Sequence, residues 1–352
     1  MSTTAGSNEL RPLHERTTAP RTLPLPTVGA DLVWRRVTDE DLPLILDLRR
    51  SAGALDHPRS LVTLDELVEA FNDKDFDPQQ DAVIALDHSG RAVAFGSATT
   101  SASRGPVVRV DLDAVVLPER RRQGIGHALL AWQEGRGLQH LVATKSTLPG
   151  WLVADAREDV TPATGLLQAH GYEPTRWWLE LERDLRLPIA APSPQPGIRL
   201  VPYGGDWAER ARSAFNDAFR DHWGTRPATA ADWASDDRLE AFRPDLSVLA
   251  VAPGASGDER VVGFVLSSSN PDEWPLRGRP FGYVGAVGTR RAWRGRGLAR
   301  TLLTHVLRGF RAAGHELAVL DVDADSPTGA LGLYQRLGFT ATDRAMSLVK
   351  QF

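Results

Sequence analysis

Residues 294–303 read RGRGLARTLL, and residues 120–130 read RRRQGIGHALL. Each stretch places arginines and glycines directly before a run in which apolar residues recur at helical spacing, so each predicts a loop that opens a helix. Because the same pattern occurs twice in one chain, the sequence is interpreted first as an internal repeat.

The two halves of the chain carry the same order of predicted elements. In the first half a strand at 32–37 precedes a helical segment, and residues 81–100 have the pattern of a β-hairpin. In the second half the strand is at 197–203 and the hairpin pattern at 246–269. A buried strand then leads into each Arg/Gly loop. This alternation predicts an α/β fold in both halves.

Length and proline content set the predicted domain boundaries. The chain has 352 residues, which is enough for two domains of ordinary size. Residues 186–197, RLPIAAPSPQPG, contain four prolines and no apolar periodicity, as expected for an extended linker. The sequence therefore predicts a flexible tail at 1–29, an N-terminal domain at 30–185, a linker at 186–197 and a C-terminal domain at 198–352.

Composition excludes several classes of protein. The formal net charge of −4 argues against a protein that coats nucleic acid. The chain has no cysteine, which removes disulfides and thiolate sites, and its histidines form no HExxH motif, so no metal site is predicted. No apolar run is long enough to span a membrane, and residues 1–29 do not resemble a secretion signal. We expect a cytoplasmic protein.

The Arg/Gly loops have the features of an anion site. A helix that starts at such a loop presents unpaired backbone N–H groups, and glycine lets an anion approach them closely. A dinucleotide-binding loop would need G-x-G-x-x-G, and a Walker loop would need GK[ST]; neither pattern occurs. The residues predicted to hold a pyrophosphate are Arg121, Arg122, Gly124 and Gly126 in the first half and Arg294, Gly295, Arg296, Gly297, Leu298 and Ala299 in the second.

The pattern R-x-x-G-x-G/A after a buried strand resembles motif A of the GNAT family of acyl-CoA-dependent N-acetyltransferases. The resemblance covers about residues 32–185 and 198–352. It implies an α/β chain of two tandem GNAT folds, each a mixed, central, splayed β-sheet flanked by α-helices. It also implies that the loops hold the pyrophosphate of acetyl-CoA. The residues that would face its pantetheine arm are Val115 and Val116 in the first half and Ala286 and Val287 in the second.

A second GNAT signature distinguishes the two halves. Residues 317–339, LAVLDVDADSPTGALGLYQRLGF, match the family's strand, polar link and helix, and the resemblance makes Tyr334 the general acid that protonates the departing thiolate. A tyrosine with a pKa near 10 is a protonated donor at pH 7. The alternative is that Tyr334 only packs its helix onto the sheet, with its hydroxyl bonded locally. Leu167 occupies the matching place in the first half and cannot donate. Ser326, followed by Pro327, stands where the family often has an asparagine that contacts the cofactor arm. The resemblance makes Ser326 a cofactor-binding residue with an altered contact, and it is also expected to cap the following helix.

A base is also needed, because an alkylammonium is almost wholly charged at neutral pH. Asp321 lies where some GNAT enzymes carry a glutamate base, and Asp323 follows on the same strand face. Tyr283 and His222 are competing candidates, and a surface charge is the alternative role for Asp321. The first-half strand taken to correspond, LQHLVATK at 138–145, has no carboxylate. The first half is therefore expected to be a degenerate copy.

The acceptor is predicted from the segment at 215–227, FNDAFRDHWGTRP. It resembles the mycothiol synthases, two-GNAT proteins that acetylate a cysteinyl amino-sugar inositol through their second half. His222, Trp223 and Tyr283 are the predicted acceptor contacts, with Arg226 a further candidate. Equally, Trp223 could anchor the core and Arg226 could be a surface charge. Other tandem GNAT proteins modify antibiotics, so a small amine of either kind fits.

The sequence therefore predicts an acetyl-CoA-dependent transferase, a monomer or homodimer, that acetylates a small primary amine by direct attack. One alternative is a non-catalytic protein that binds or senses acyl-CoA, and another makes the first half the working site. An RNA-binding face at Arg290, Arg291 and Arg294 is disfavoured, because no aromatic residues are interleaved for base stacking.

Overall fold

The chain folds into two units in which strands and helices alternate. The computed structural model describes residues 10–101, 106–193, 195–220, 222–223, 227–254, 257–326 and 328–352. The first unit takes the chain up to Thr175 together with Met346–Phe352, and the second is Arg176–Ala345. Among the described helices, none has the length and apolar character needed to cross a membrane. Both units have the mixed α/β composition that the sequence predicts.

The first unit is built on strands in the order β1-β2-β3-β4-β5, followed by the end of the last strand of the chain. The strands are antiparallel except that β4 and β5 are parallel. The strands are β1 Val33–Arg36, β2 Ala82–Leu86, β3 Ala92–Ser101, β4 Val108–Val116 and β5 Gly150–Arg157. The helices are α1 Leu13–Arg16, α2 Leu42–Asp56, α3 Leu64–Phe71, α4 Pro78–Asp81, α5 Ile125–Ala143 and α6 Thr161–Ala169.

The second unit repeats this plan, with strands in the order β6-β11-β10-β9-β8-β7. Its one parallel pair among these is β10 with β11. The strands are β6 Glu173–Asp184, β7 Arg199–Pro202, β8 Val248–Pro253, β9 Glu259–Ser268, β10 Phe281–Thr289, β11 Leu317–Asp323 and β12 Thr340–Gln351. The helices are α7 Ala208–Ala218, α8 Ala230–Asp236, α9 Trp274–Arg277, α10 Leu298–Ala312 and α11 Ala330–Arg336. The strands predicted at 32–37 and 197–203, the two hairpins and the strands before the two loops are confirmed.

The units do not end where the sequence places the domain boundaries. Residues 176–185, assigned by sequence to the N-terminal domain, belong to the second unit, and Met346–Phe352, assigned to the C-terminal domain, belong to the first. The reason is hydrogen bonding, because β6 pairs with β11 from Leu317 with Asp184 to Asp323 with Trp178. At the other end, Gly150 and Phe352 exchange both backbone hydrogen bonds.

The segment before β1 differs from the predicted flexible tail. Residues 1–9 lie outside the described part of the chain, but Leu13 is fully buried and its backbone N–H bonds to Ser146 O at 2.7 Å. Farther along, Leu23 packs where Gly135 of α5 has no side chain, since a Cβ there would lie 2.6 Å from Leu23 Cδ1. The sequence analysis overlooked that a proline-rich stretch can carry apolar side chains onto a helix.

The described residues of the linker belong to no helix or strand, and two of them bond to the first turn of α10. Thr301 donates its hydroxyl to Ser193 O at 3.2 Å, and Gln195 Nε2 donates to Thr301 Oγ1 at 3.3 Å. Ile189 packs against the core of the second unit. The linker therefore helps to fix the helix that follows the second Arg/Gly loop.

The core of the second unit lies between its sheet and α10. Phe310 of α10 is fully buried and faces Gly282 of β10, where a Cβ would lie only 2.7 Å from the ring. Gly282 sits in the short segment where β10 pairs with β11. A glycine here allows the helix to approach the sheet at the position where the two parallel strands begin to separate.

We expect Gly282→Ala to lower the free energy of unfolding by about 1–3 kcal/mol, because the added methyl group overpacks a filled core. The matched control is Gly309→Ala in α10, where a Cβ would have its nearest neighbour at 3.8 Å. That variant should gain about 0.5–1 kcal/mol from helix propensity. Chemical denaturation measures both, and equal stability of the two variants would contradict this packing.

Candidate active site

Two parallel strands of the second unit separate along their length. β10 and β11 pair from Phe281 with Leu317 to Tyr283 with Val319. Within these fully described strands, the later residues 284–289 and 320–323 do not pair with each other. Main-chain N–H and C=O groups along this edge are therefore available to another partner. We call this gap the β10–β11 opening.

A β-bulge shapes the β10 side of the opening. Val284 pairs with Ser267 and Ala286 with Leu266, so Gly285 is an extra residue with no partner on β9. A bulge changes which face the following side chains occupy. Val284 and Val287 thus pack in the cluster with α10, whereas Ala286 packs in the cluster with α7. The predicted contacts Ala286 and Val287 border the opening on opposite faces of the sheet.

The loop after β10 forms a concave backbone surface at the start of α10. Gly295 and Gly297 both have left-handed backbone conformations, with φ of 75° and 77°. Gly297 is the N-cap of α10 and makes no side-chain cap hydrogen bond, so the first helical N–H groups, from Leu298 and Ala299, are left for an outside acceptor. Such a turn before a helix attracts anions.

The arginines of this loop have different surroundings. Arg294 donates from Nε to Thr289 O at 3.2 Å and from Nη2 to Ala218 O at 2.8 Å, so its guanidinium braces the loop and is not turned to an outside anion. This differs from the predicted phosphate contact. Arg296 is exposed and lies over the Trp293 ring. Arg290 is buried, with Nε bonded to Val261 O at 2.7 Å, and therefore offers no charge to RNA.

Tyr334 lies in α11 and is largely buried in the cluster that also contains Val287 and Leu298. Burial raises the pKa of Tyr334 to about 12, so its phenol stays protonated at neutral pH. Among the described residues, no side chain or backbone group hydrogen-bonds its hydroxyl. The Tyr334 hydroxyl therefore has no partner among the described residues with which it could form a local structural hydrogen bond.

Asp321 and Tyr283, two of the predicted base candidates, form one hydrogen-bonded pair. Tyr283 Oη donates to Asp321 Oδ2 at 2.7 Å. Part of the Asp321 carboxylate reaches solvent, but the surrounding protein excludes enough water to raise its pKa, and the bond from Tyr283 opposes that rise. Burial also raises the pKa of Tyr283, which keeps that phenol a donor.

The acid and base candidates lie on opposite faces of the sheet. Leu320 and Val322 of β11 share the α10 cluster with Tyr334. Val319 packs with Tyr283 in a separate cluster, and Asp321 follows two residues on, so its side chain shares that second face. A group held in the β10–β11 opening would therefore have a phenol on one side and a carboxylate on the other.

The predicted acceptor residues lie beside aromatic and charged side chains that the sequence analysis missed. The ring of Trp178 in β6 is 6.0 Å from those of both His222 and Trp223. Arg176 lies over Trp223 and approaches buried Asp323 to 4.0 Å. Trp178 and Arg176 belong to the segment RWWLELE at 176–182, which was not considered for the acceptor site because it was assigned to the N-terminal domain. Arg226 lies outside the described residues.

Ser326 does not cap the helix that follows β11. Its hydroxyl bonds to Thr328 Oγ1 at 2.9 Å, and α11 begins only at Ala330, with Gly329 as its N-cap in a left-handed conformation. Pro327 lies outside the described residues. The predicted cap is wrong because the chain makes another turn before the helix starts.

The first unit keeps the loop and the separated strands but lacks the bulge. β4 and β5 pair only from Val108 with Gly150 to Asp111 with Val153, while β3 and β4 pair without a register shift. In the loop, Arg122 and Gly124 repeat the left-handed conformations of the second copy. Arg121 forms a bidentate ion pair with Asp56 at 2.8 and 2.6 Å, so it too braces the loop, unlike the prediction.

The other predicted contacts of the first unit surround this opening. Val115 packs in the cluster with α2, and Val116 packs in the cluster with α5, so the two valines lie on opposite faces of β4. Gly126 belongs to the first turn of α5 and faces Leu166 of α6. This placement parallels that of Ala286, Val287 and Ala299 in the second unit.

One comparison between the halves was wrong. Residues 138–145, taken as the first-half strand, begin within α5, and the strand is β5, GWLVADAR. Strand β5 carries Asp155, which is exposed between buried residues as Asp321 is in β11. The Ser347 hydroxyl donates a hydrogen bond to the Asp155 carboxylate. The first unit therefore retains a carboxylate on this strand. Its helix α6 places buried Leu167 where the second unit has Tyr334.

We expect Tyr334→Phe to change the free energy of unfolding by less than about 0.5 kcal/mol, because the lost hydroxyl has no protein partner. The matched control is Tyr203→Phe, since Tyr203 Oη donates to Asp237 Oδ1 at 2.7 Å and accepts from Trp233 Nε1 at 2.9 Å. That variant should lose about 1–3 kcal/mol. A comparable loss in Tyr334→Phe would indicate a structural role for its hydroxyl.

Comparison with known proteins agrees with this geometry. Residues 208–339 match the model of the Acetyltransferase (GNAT) family. A mycothiol acetyltransferase from an Arthrobacter species is 30% identical over 275 residues, which are 76% of this chain and 76% of that protein. Similar mycothiol acetyltransferases occur in other species, such as Thermomonospora curvata, at 32% identity over 65% of this chain and 69% of the relative.

Solved structures show the same fold. A GCN5-related N-acetyltransferase from Sphaerobacter thermophilus superposes with a TM-score of 0.68 at 27% identity, covering 92% of this chain and 97% of that one. A tandem GNAT protein from the clavulanic acid biosynthesis pathway shares the fold, with a TM-score of 0.63 at 19% identity, over 91% of this chain and 98% of that one. The chain belongs to the GNAT family of acetyltransferases and is an acyltransferase.

Proposed function

We propose that the second unit transfers the acetyl group of acetyl-CoA to a primary amine of a small molecule by direct attack. The observation that carries this proposal is the β10–β11 opening, which has Tyr334 on one face and the Asp321–Tyr283 pair on the other. Direct attack needs no covalent enzyme intermediate, so positioning and proton transfer are the chain's contributions. Acetyl-CoA supplies the activated acyl group.

The residues present fit an acyl-CoA. The exposed turn at Gly295, Arg296 and Gly297, with the first N–H groups of α10, would hold the diphosphate. Arg294 keeps this turn in place through Thr289 O and Ala218 O. The main-chain groups around the Gly285 bulge would bind the extended arm, which enters where the strands part.

Proton transfer is assigned to two side chains. Tyr334 donates its phenolic proton to the leaving thiolate, a role that its protonated state at neutral pH and its unbonded hydroxyl support. Asp321 takes a proton from the acceptor's ammonium group, either directly or through one water, and the neutral amine so formed attacks the thioester carbonyl; Tyr283 holds the carboxylate. A raised pKa makes Asp321 a stronger base than an ordinary aspartate.

The acceptor would lie on the face that carries His222 and Trp223. Trp178 and Trp223 supply aromatic surface, which suits the amine of a small polar molecule. The relatives named mycothiol acetyltransferases support an amino-sugar derivative as the first acceptor to test, and the tandem protein of antibiotic biosynthesis supports a second group of small amines.

For the first unit we propose a non-catalytic role. Leu167 has no proton to donate, and the continuous pairing of β3 with β4 leaves no bulge at its opening. Its loop keeps the left-handed turns at Arg122 and Gly124, so it retains a backbone surface for an acyl-CoA without the acid that turnover requires.

The activity is tested with a panel of small amines and acetyl-CoA, following the release of free thiol. With the best acceptor, Tyr334→Phe should lower kcat by about 10²-fold or more, because the leaving thiolate loses its acid. The Michaelis constant for acetyl-CoA should change little. Turnover equal to that of the unmodified chain would remove Tyr334 from the mechanism.

The working half is identified by substituting the same loop glycine in each unit. Gly297→Val should abolish acetyl-CoA-dependent turnover, because a side chain at this φ of 77° strains the turn and obstructs its N–H groups. Gly124→Val is the matched control, with φ of 82°, and should leave turnover intact. The opposite pattern would assign the chemistry to the first unit.

A further inference from the structure

A buried arginine clamps two glutamates next to the carboxylate proposed as the base. Arg277 of α9 has a side chain only 6% exposed. It donates to Glu180 Oε1 and Oε2 at 2.9 and 2.6 Å and to Glu182 Oε1 at 2.5 Å. Burial lowers its pKa, but the two glutamates more than compensate and hold the pKa above the usual arginine value, so the guanidinium stays charged.

Glu180 is the direct cross-strand neighbour of Asp321. The antiparallel register of β6 and β11 pairs Asp321 with Glu180 and Val319 with Glu182. Directly opposed side chains share one sheet face, with Cβ atoms about 5 Å apart, and like charges so placed repel each other. Without a cation at Glu180, the negative charge of Asp321 would therefore be disfavoured.

The other charges facing Asp321 do not supply that cation. Tyr283 from β10 donates a neutral hydrogen bond, and Asp343 of β12 adds negative charge that raises the pKa of Asp321. Thr342 donates its hydroxyl to Glu180 Oε1 at 3.1 Å. On the neighbouring part of this face, Asp323 is approached by Arg176, and Arg344 lies over Trp177. Arg277 is the cation whose charge lowers the pKa of Asp321.

We infer that Arg277 is a positioning residue of the transferase, which clamps Glu180 and Glu182 and thereby keeps the Asp321 carboxylate ionised, and able to accept a proton, over a wider pH range. This inference rests on the proposed function, because that function makes Asp321 the base. When Arg277 is removed, two uncompensated glutamates face the Asp321 carboxylate. Asp321 then binds a solvent proton at higher pH, so the unprotonated base is present over a narrower pH range.

The test is an NMR titration of the full-length chain, without ligand, in which aspartate carboxyl carbons are labelled with ¹³C. The Asp321 resonance is assigned by its loss in Asp321→Asn. In Arg277→Met, the titration midpoint of Asp321 should move up by about one pH unit, the order expected for a nearby charge. In Glu180→Gln it should move down, because a repulsive charge is removed.

Two further variants separate this electrostatic role from a structural one. Glu182→Gln is the matched control, since Glu182 also binds Arg277 but lies opposite Val319, and its shift should be smaller than that of Glu180→Gln. The double variant Arg277→Met with Glu180→Gln should return the midpoint toward that of the unmodified chain. If Arg277→Met does not fold, the downward shift in Glu180→Gln carries the test. Unchanged midpoints in the folded variants would overturn the inference.

Turnover measurements distinguish this failure from failure of the proposed function. With the acceptor selected by the amine panel, the acidic limb of the kcat/KM profile should shift in the same direction as the NMR midpoint in each variant. Full turnover in Asp321→Asn would overturn the base assignment, and the inference with it. Turnover could be lost in Asp321→Asn while the Asp321 midpoint stays unmoved in the Arg277 and Glu180 variants. That result would overturn the role of Arg277 alone.

Discussion

The separation of β10 from β11 is the constraint on which the site depends. Two parallel strands that stay paired satisfy each other's main-chain groups and leave no space between them. Here pairing stops after Tyr283 and Val319, and the bulge at Gly285 turns the following residues of β10. The packing of α10 against the glycine at 282 supports the paired end. The proposed reaction takes place in the β10–β11 opening, beyond this paired end.

The gap allows the two faces of one sheet to contribute to one reaction. Tyr334 comes from the face covered by α10 and α11, and Asp321 from the opposite face of the sheet. Trp178, whose ring lies by His222 and Trp223, pairs with Asp323, two residues beyond Asp321. An amine arriving on one side and a thiol leaving on the other would each meet a different proton-transfer group. The first unit has the gap and a carboxylate, Asp155, but Leu167 takes the place of the Tyr334 phenol, so the same fold there does not complete this arrangement.

Local patterns made most of the fold predictable from the sequence. Hairpins, the strands before the loops, and the two loop–helix junctions follow from short-range periodicity and glycine placement, and the structure has them where expected. β6 was misassigned because its pairing with β11 joins residues far apart in the sequence, which periodicity cannot reveal. The error at 138–145 has another cause, since that apolar run continues α5 and could not be told from a strand by pattern alone.

Side-chain direction limited the prediction of the site. The sequence indicated Tyr334, Asp321, Tyr283 and the loop glycines as candidate site residues. It also predicted that Arg121 and Arg294 contact a phosphate, whereas both side chains brace their loops. No sequence motif marked Arg277, because its importance depends on the pairing of β6 with β11, which places Glu180 beside Asp321.

The most direct measurement is a crystal structure of the chain with a non-hydrolysable acetyl-CoA analogue. The account predicts the diphosphate on the backbone N–H groups after Gly295 and the sulfur position within hydrogen-bond reach of Tyr334 Oη. An analogue bound away from the β10–β11 opening, or a sulfur position remote from that hydroxyl, would contradict it.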